Sequence, residues 1–548
     1  MKPGREVIEV NLQEWQALLE RARKKPLDEE GYEKLQAALR AFRLLTDLIG
    51  EKDTTISRLR AVLGKPSTEK TSKVLEQAGL EPAAKSHPSP GSKASAKAKA
   101  GHGRNGAAAY QGAERIKIPH ASLKPGDHCP ECLKGKVYVR KDPAFRIRVV
   151  GQAPLAARVY ELESLRCNLC GEVFEAAAPE SVGEKKYDES AAAMIGLLKY
   201  GIGVPFYRLA GLEASLGIPL PPATQWEIMA ETAAVIEPAF DEAIRQAAQG
   251  EVLYNDDTAM KILALARASP HSAGGEEEPS SSRERTGLFT SGIVSTWQGR
   301  RIALFFTGRR HAGENLGRVL AQRAAGLAPP IQMCDALSRN YPKLPKPLEI
   351  IVGNCNAHAR RRYVDVVPNF PEPCRYVLES LGKVYAYDAQ AEERGLSPAE
   401  RLRFHQEHSG PIMDELHAWL RAQFEEKKVE PNSGLGSAIT FSLKHWNRLT
   451  LFLHQAGAPL DNNICERALK KAICHRKNSL FYKTENGAEV GDLFMSLIHT
   501  CDLNDANPFD YLTELQKHAV ELAKNPAAWM PWNYRHNLPP AGPSKHPS

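Results

Sequence analysis

EVLYNDDTAMKIL, residues 251–263, is followed by GLFTSGIVSTWQG at 287–299 and RRIALFFTG at 300–308. Each run is rich in β-branched and aromatic residues and bounded by turn residues, so the three read as consecutive strands, the last two antiparallel. The chain then alternates. GENLGRVLAQRAAG (313–326) has helical spacing, IQMCD (331–335) is a short strand, a second short helix follows, EIIVGNC (349–355) is a fifth strand, and NAHARRRYVDVV (356–367) is helical again. Between the first two strands, Arg267 to Thr286 is a polar, Glu-rich loop.

Three strands, then helix, strand, helix, strand, helix, is the mixed α/β succession of a ribonuclease-H-like domain. In that reading the first strand carries Asp256 or Asp257 at its centre, and Asp335 closes the fourth. A third acid stands further on, in DNNICERALKKAICHRKN (461–478), which opens a helix after the loop QAGAPL. Asp461 or Asn462 can cap that helix by accepting from a free backbone N–H. Glu466 lies in its first turns, with Arg467, Lys470, Lys471, His475, Arg476, Lys477 and Lys483 after it. A lone acid in a basic helix is ordinarily a solvated residue. With two aspartates as partners it becomes a candidate metal ligand. Phosphoryl transfer on nucleic acid is served by two Mg²⁺ ions that stabilise the attacking and leaving oxygens, and Mg²⁺ takes hard oxygen ligands. Asp256, Asp335 and Glu466, on strand, strand end and helix, suit that task, with Mn²⁺ a natural substitute. Arg467, Lys470, Arg476 and Lys477, and Arg360, Arg361 and Arg362 after His358, would then neutralise DNA phosphates. The alternative for both basic runs is a solvated helix face.

The region before residue 249 has a different character. Leu35, Phe42, Ile49, Ile56 and Leu63 recur every seven residues, with Ala38, Leu45 and Leu59 three later, which predicts a coiled coil over 32–63 and self-association. Residues 83–113 hold four lysines, one arginine and no acid among Ala, Ser, Gly and Pro, the composition of a disordered basic tether. Cys129-Pro-Glu-Cys132 and Cys167-Asn-Leu-Cys170 are two CxxC knuckles around a segment that reads as strand-rich. Four thiolates so arranged predict one structural Zn²⁺, against the alternatives of a redox pair or buried free thiols. Residues 188–247 read as two short helices, a Gly/Pro turn and a helix beginning near Thr224. That layout fits a helix-turn-helix-like DNA reader or a bundle that supports the next domain.

Bulk properties narrow the class. The chain has 548 residues, a net charge of +7 and 42% hydrophobic content, ample for several cores. No apolar run reaches membrane-spanning length, and the N-terminus has no apolar stretch behind its positive charges, so neither a membrane span nor a secretory signal is expected. Ten cysteines in so long a chain do not make a disulfide scaffold, and two metal-spaced pairs point to a reducing cytoplasm.

The sequence resembles the transposases of the insertion-sequence-66 type. The resemblance is carried by the leading coiled coil, CPEC and CNLC, LLKYGIGVPFYRLAGLEASLGIPL, the strand with NDDT, GNCNAHARRRYVD and the long block from DNNICERALKK to FMSLIHTC. It departs where Asp256-Asp257-Thr258-Ala259 stands for the usual Asp-Glu-Thr-Pro, and where Ala336-Leu337 rather than Gly-Tyr follow Asp335. The resemblance implies an acidic DDE triad mapping to Asp256, Asp335 and Glu466. It implies a bacterial, nucleoid-associated enzyme that binds the terminal inverted repeats of its element, cuts the ends and joins 3′ hydroxyls to target DNA, with subunits paired through the coiled coil and accessory transposition proteins. A catalytically inactive, zinc-containing multimeric DNA-binding protein shares every N-terminal feature, and a nuclease that cuts without joining is a third reading. The expected organisation is a multidomain α/β chain: a coiled-coil region at 1–82, the linker at 83–113, a zinc ribbon at 114–180, a helical module at 181–248, a ribonuclease-H-like core at 249–369 and 446–500 split by a helical insertion at 370–445, and a helical tail at 501–548.

Overall fold

The structure, a computed structural model, describes residues 71–77, 107–109, 115–140, 145–149, 152–170, 172–179, 182–183, 185–267, 287–344 and 348–538. The coiled coil expected over 32–63 lies outside them, as does most of the 83–113 linker and of the 267–286 loop. The described residues fall in two compact units. One holds 71–77, 360–382 and 433–435, and the other holds the rest. In the first, the helix α1 (Thr71–Gln77) buries Val74 and Leu75, and Arg360 Nη2 donates to Thr71 Oγ1 at 3.2 Å. Among the described residues no helix is long and apolar enough to cross a membrane.

The second unit opens with the knuckles. Strands β1 (Ser164–Arg166) and β2 (Val173–Glu175) pair antiparallel, and the turn between them carries Cys167 and Cys170. Cys129 and Cys132 sit in a turn bracketed by the bridge of His128 with Lys136. The strand-rich reading of the segment between the knuckles is not met: apart from that bridge and β1, the described residues of 133–166 form no ladder. Tyr138, Val139, Phe145, Val149 and Val159 are all exposed there. β-propensity needs a partner strand and a covered face to become a sheet, and these side chains have no layer over them.

Three helices follow: α2 (Glu189–Gly196), which runs on into a wider π-type turn at Leu197–Ile202, α3 (Phe206–Ser215) and α4 (Pro222–Ala247). Asp188 caps α2 through the N–H of Ala191, and Pro222 starts α4 where a missing N–H costs nothing. Met229, Ile236, Ala239 and Ala243 are fully buried along α4, at helical spacing, so this helix serves the core beneath it.

That core is built on a five-stranded sheet of β3 (Val252–Ala259), β4 (Phe289–Trp297), β5 (Arg300–Gly308), β6 (Ile331–Cys334) and β7 (Ile351–Asn354), in spatial order β5-β4-β3-β6-β7. The first three pair antiparallel, while β3–β6 and β6–β7 pair parallel. β5 and β6 are separated by the helix α5 (Ala312–Leu320). After β7 the chain is helical, through α6 (Asn356–Val366), α7 (Pro371–Glu393), α8 (Pro398–His408), α9 (Gly410–Glu425) and α10 (Gly434–Lys444), before α11 (Asn463–Ser479), α12 (Glu485–Leu503) and α13 (Pro508–Lys517).

Strand alternation divides the sheet's side chains into two layers. Leu253, Ile293 and Leu304 pack on one face with Leu316 and Val319 of α5 and the end of α4. Val294, Ala303 and Phe305 pack on the other with Cys465 and Leu469 of α11 and Phe494 and Ile498 of α12. The edge strand β5 is covered by α12 in a regular way. Backbone N–H groups of Thr307, Phe305, Ala303 and Arg301 donate to Asp492, Ser496, Thr500 and Asn504, respectively. Four residues of helix advance about 6 Å and two of strand about 6.8 Å, so the repeats run nearly in step. An edge that would otherwise offer a row of free N–H groups is thereby closed.

Candidate active site

Asp256 and Asp257 stand near the end of β3, with Gly292 and Ser291 of β4 directly opposite them. Alternation sends the two carboxylates to opposite faces. The Asp257 side chain is 1% exposed. Its Oδ2 meets His311 Nδ1 at 2.8 Å and its Oδ1 meets Arg339 Nη2 at 3.2 Å, so it is committed to an ion pair on the α5 side. Asp256 is not paired with a cation in this way. Its Oδ1 accepts from the Asn340 amide at 3.2 Å, and the same amide nitrogen donates to Asp335 Oδ1. Burial first, and the Asp335 carboxylate second, push Asp256 up to about 6. Asp335 itself is 9% exposed.

The turn at Ser338–Asn340 is what makes this bridge possible. Asn340 is fully buried, and its carbonyl accepts from Asn255 Nδ2 at 2.9 Å and Gln332 Nε2 at 2.7 Å. Gln332 Nε2 also donates to Asn255 Oδ1 at 2.8 Å. Three amide side chains therefore hold the segment after β6 against β3, and the amide of Asn340 is left to join two like charges.

Glu466 arrives on α11. The N-cap residue, Asn462, makes no side-chain cap bond, and the Asp461 carboxylate just before it accepts from Asn463 N at 3.0 Å and from Asn463 Nδ2 at 2.6 Å. Asn462 turns inward and donates to the carbonyl of Asn255 at 3.2 Å, which ties the start of α11 to β3. Cys465, Ala468, Leu469, Ala472 and His475 form the buried stripe of the helix. Their approach depends on Gly292, because a Cβ placed there would lie 2.9 Å from Leu469 Cδ2. Cys465 Sγ also donates to the Gly292 carbonyl at 3.3 Å. Glu466, half-buried, faces His358, whose Nδ1 is 3.6 Å from Glu466 Oε1. Among the described residues, the ligand atoms gathered within 4.8 Å of one another around Glu466 are those of Cys355 and His358, and the group includes neither Asp256 nor Asp335.

Of the basic residues picked from sequence, Arg467, Lys470 and Lys477 are exposed on α11. Arg476 is engaged within the chain, its Nη1 donating to Thr258 Oγ1 at 3.1 Å and to the Ala259 carbonyl. It fastens the far end of α11 to the end of β3. Arg360, Arg361 and Arg362 lie together on α6 in the other unit, Arg362 exposed and the other two half-buried. In the knuckles, Cys129 N donates to the Gly135 carbonyl at 2.8 Å, Gly135 N to Cys132 Sγ at 3.4 Å, and Cys167 N to the Glu172 carbonyl at 2.8 Å. Backbone N–H donation lowers the Cys132 thiol from its ordinary value. Sequence reasoning named the three acids but passed over Asn340, Asn255, Asn462 and Gly292, which position them.

The site's chemistry suits a divalent cation. Two carboxylates bridged by one amide, one of them with its ionised form disfavoured by burial and by its neighbour, are a pair that a cation would relieve. Comparison with known proteins agrees with the resemblance read from sequence. Residues 185–490 match the family described as Transposase IS66 family. The chain is 26% identical over 381 residues to the uncharacterized protein y4jD of Sinorhizobium fredii (strain NBRC 101917 / NGR234), which covers 67% of this chain and 71% of that protein. The uncharacterized protein y4hP of the same strain is 24% identical over 401 residues, covering 68% and 67% respectively. The family match takes in more than half of the chain, including the whole five-stranded sheet and the helix of Glu466, and the chain belongs to the IS66 transposase family.

Proposed function

We propose that the chain is a transposase that binds the terminal inverted repeats of its element, cuts the DNA ends to free 3′ hydroxyls and joins them to target DNA. The core in this reading is ribonuclease-H-like, and the sheet order β5-β4-β3-β6-β7 with two antiparallel and two parallel pairings supports it. The single observation that carries the mechanism is the joining of Asp256 and Asp335 through Asn340.

Asp256, Asp335 and Glu466 would hold the metal. Two Mg²⁺ ions, or Mn²⁺, bound there would supply stabilisation of the attacking and leaving oxygens of an in-line displacement. Asn340 keeps the two aspartates at hydrogen-bonding distance from one amide and so sets their spacing. Asp257, paired with His311 and Arg339, holds the end of β3 in place rather than facing the metal. Exposed Arg467, Lys470 and Lys477 bind phosphates along the DNA, and Arg360, Arg361 and Arg362 form a second basic run that does the same. Cys129, Cys132, Cys167 and Cys170 would hold one structural Zn²⁺ in the N-terminal module, their four sulfurs drawn together by the ion. Residues 32–63 pair subunits, since two ends must be handled together.

The test is cleavage of a labelled terminal repeat by the full-length chain with Mg²⁺. Cleavage that vanishes with Asp256→Ala, Asp335→Ala and Glu466→Ala supports the reading. Cleavage that survives Asp256→Ala or Glu466→Ala overturns the residue assignment, and DNA binding without cleavage under any metal makes the chain a binding protein.

A further inference from the structure

Cys355, His358 and Glu466 bring one ligand atom each to within 4.8 Å of one another. The first two come from the end of β7 and the first turn of α6, in a Cys-x-x-His spacing, and the third from the first turns of α11. The chemistry of this trio differs from that of the aspartate pair. It offers one sulfur, one imidazole nitrogen and one carboxylate oxygen, a donor set suited to a borderline, four-coordinate ion and unsuited to Mg²⁺.

A second observation points the same way. The Cys355 sulfur accepts a backbone N–H bond from Asn462 at 3.2 Å, and the N–H of His358 is directed at it as well. Burial pushes the Cys355 thiol up to about 12 against these two donors, so the ion itself must displace the thiol proton as it binds. The sulfur is the floor of the site, at 1% exposure, while the side chains of His358 and Glu466 are 25% and 24% exposed. An ion can therefore enter from the His358–Glu466 side and keep a water as its fourth ligand. A tetrahedral Zn²⁺ with bonds of about 2.0 to 2.3 Å holds its ligand atoms roughly 3.3 to 3.8 Å apart. His358 and Glu466, at 3.6 Å, already meet this.

We propose that Cys355, His358 and Glu466 form a binding site for one Zn²⁺-like transition-metal ion, and that its occupancy withdraws Glu466 from the Mg²⁺ set and stops DNA cutting. On binding, the sulfur–metal bond forms and the thiol proton passes to water, with no change of oxidation state. The binding half stands on the trio alone, whereas the inhibitory half rests on the proposed function.

The experiment uses the full-length chain and Co²⁺ as the probe, read by its thiolate-to-metal absorption. The knuckle cysteines contribute to that signal equally in every variant, so the readout is the difference between wild type and Cys355→Ser. The expected result is a thiolate–Co²⁺ band in that difference, also lost in His358→Ala and weakened about tenfold or more in Glu466→Gln. His358 is partly exposed, so its variant tests the site even where Cys355→Ser fails to fold. Zn²⁺ added to a Mg²⁺-supported cleavage reaction should suppress it at least tenfold. His358→Ala and Cys355→Ser, each scaled to its own zinc-free rate, should need about tenfold more Zn²⁺. Identical Co²⁺ spectra in wild type and both variants overturn the site. A band that depends on Cys355 together with cleavage indifferent to Zn²⁺ overturns the inhibitory half. The same band in a chain that cuts no DNA under any metal leaves the site standing and overturns the transposase reading instead.

Discussion

Asp256 and Asp257 are neighbours in the chain and face opposite sides of one sheet. Asp257 is paired with His311 and Arg339. Asp256 shares the Asn340 amide with Asp335. The two carboxylates therefore predict opposite phenotypes. Asp257→Ala leaves a partly exposed arginine and a histidine without their acid and should cost about 1–3 kcal/mol of stability in urea unfolding. Asp256→Asn removes a repulsion with Asp335 and should leave stability within about 1 kcal/mol of wild type while abolishing end cleavage. A reversal, with Asp257→Ala stable and unable to bind Mn²⁺ and Asp256→Asn unfolded, would exchange the roles assigned to them.

Asn340 carries a second prediction. Its amide is the group that lies between Asp256 and Asp335, so Asn340→Leu should leave two carboxylates facing each other with no donor between them. Mn²⁺ affinity, measured by calorimetry, should fall about 10- to 100-fold, as for outer partners of metal ligands generally. Asn340→Asp adds a third charge without a donor and should not restore it. Unchanged Mn²⁺ affinity in Asn340→Leu would show that the bridge is incidental.

How much of this was legible beforehand differs by residue, for physical reasons. The strand succession was readable because β3, β4 and β5 each carry a short run of β-branched, leucine or aromatic residues and are bounded by turn residues. Asp335 and Glu466 were found because acids at a strand end and in a basic helix break the local pattern. Asn340 was not, because a buried amide after a short strand looks like any turn residue until its partners, 84 and 5 positions away, are brought beside it. Gly292 was hidden for the same reason, since its role is the room it leaves for Leu469 on a distant helix. The segment between the knuckles went the other way: local β-propensity was present, but no layer covers those side chains, and tertiary context decides.

Gly292 can be tested by a substitution and its compensation. A Cβ there would stand 2.9 Å from Leu469 Cδ2 and 3.5 Å from Cys465 Sγ. Gly292→Ala should push α11, and Glu466 with it, away from β3, at a cost of about 1–3 kcal/mol. End cleavage should fall more than DNA binding, because the acid moves while the exposed basic residues remain on the surface. Leu469→Ala added to Gly292→Ala opens the missing space and should recover part of both losses. A double variant no better than the sum of the two singles would mean that the contact does not set the position of the helix.

The exposed basic face of α11 gives a prediction in salt. Arg467→Gln, Lys470→Gln and Lys477→Gln together remove three cations that meet phosphates in the proposed complex. The slope of log affinity against log salt should shrink by about 2 to 3, with little change between DNA sequences. Arg476→Gln should behave differently. Its guanidinium is bound to Thr258 and the Ala259 carbonyl, so the substitution should lower thermal stability and loosen β3 from α11. A salt slope unchanged in the triple variant would place the DNA on another surface.

The covered edge of β5 predicts a dependence of stability on pH. Asp492 is buried, accepts from the backbone N–H of Thr307 and meets its hydroxyl at 2.7 Å, and Thr307 in turn meets Thr290 Oγ1 at 2.8 Å. Burial pushes Asp492 up to about 7, against the ordinary 3.8 that applies in the unfolded chain. Between those two values the folded chain keeps a proton that the unfolded chain releases. The stability this lends is full below about pH 4 and is lost as pH rises through about 7. Asp492→Asn keeps an acceptor for Thr307 N–H and cannot ionise. The stability difference between wild type and Asp492→Asn, from urea midpoints, should therefore move against wild type by at least about 1 kcal/mol from pH 5 to pH 8. Ser496→Ala, one turn along the same edge, should cost about 1 kcal/mol at every pH, since it removes a hydrogen bond and no titrating group. Parallel pH profiles for wild type and Asp492→Asn would mean that Asp492 ionises in the fold as freely as in water.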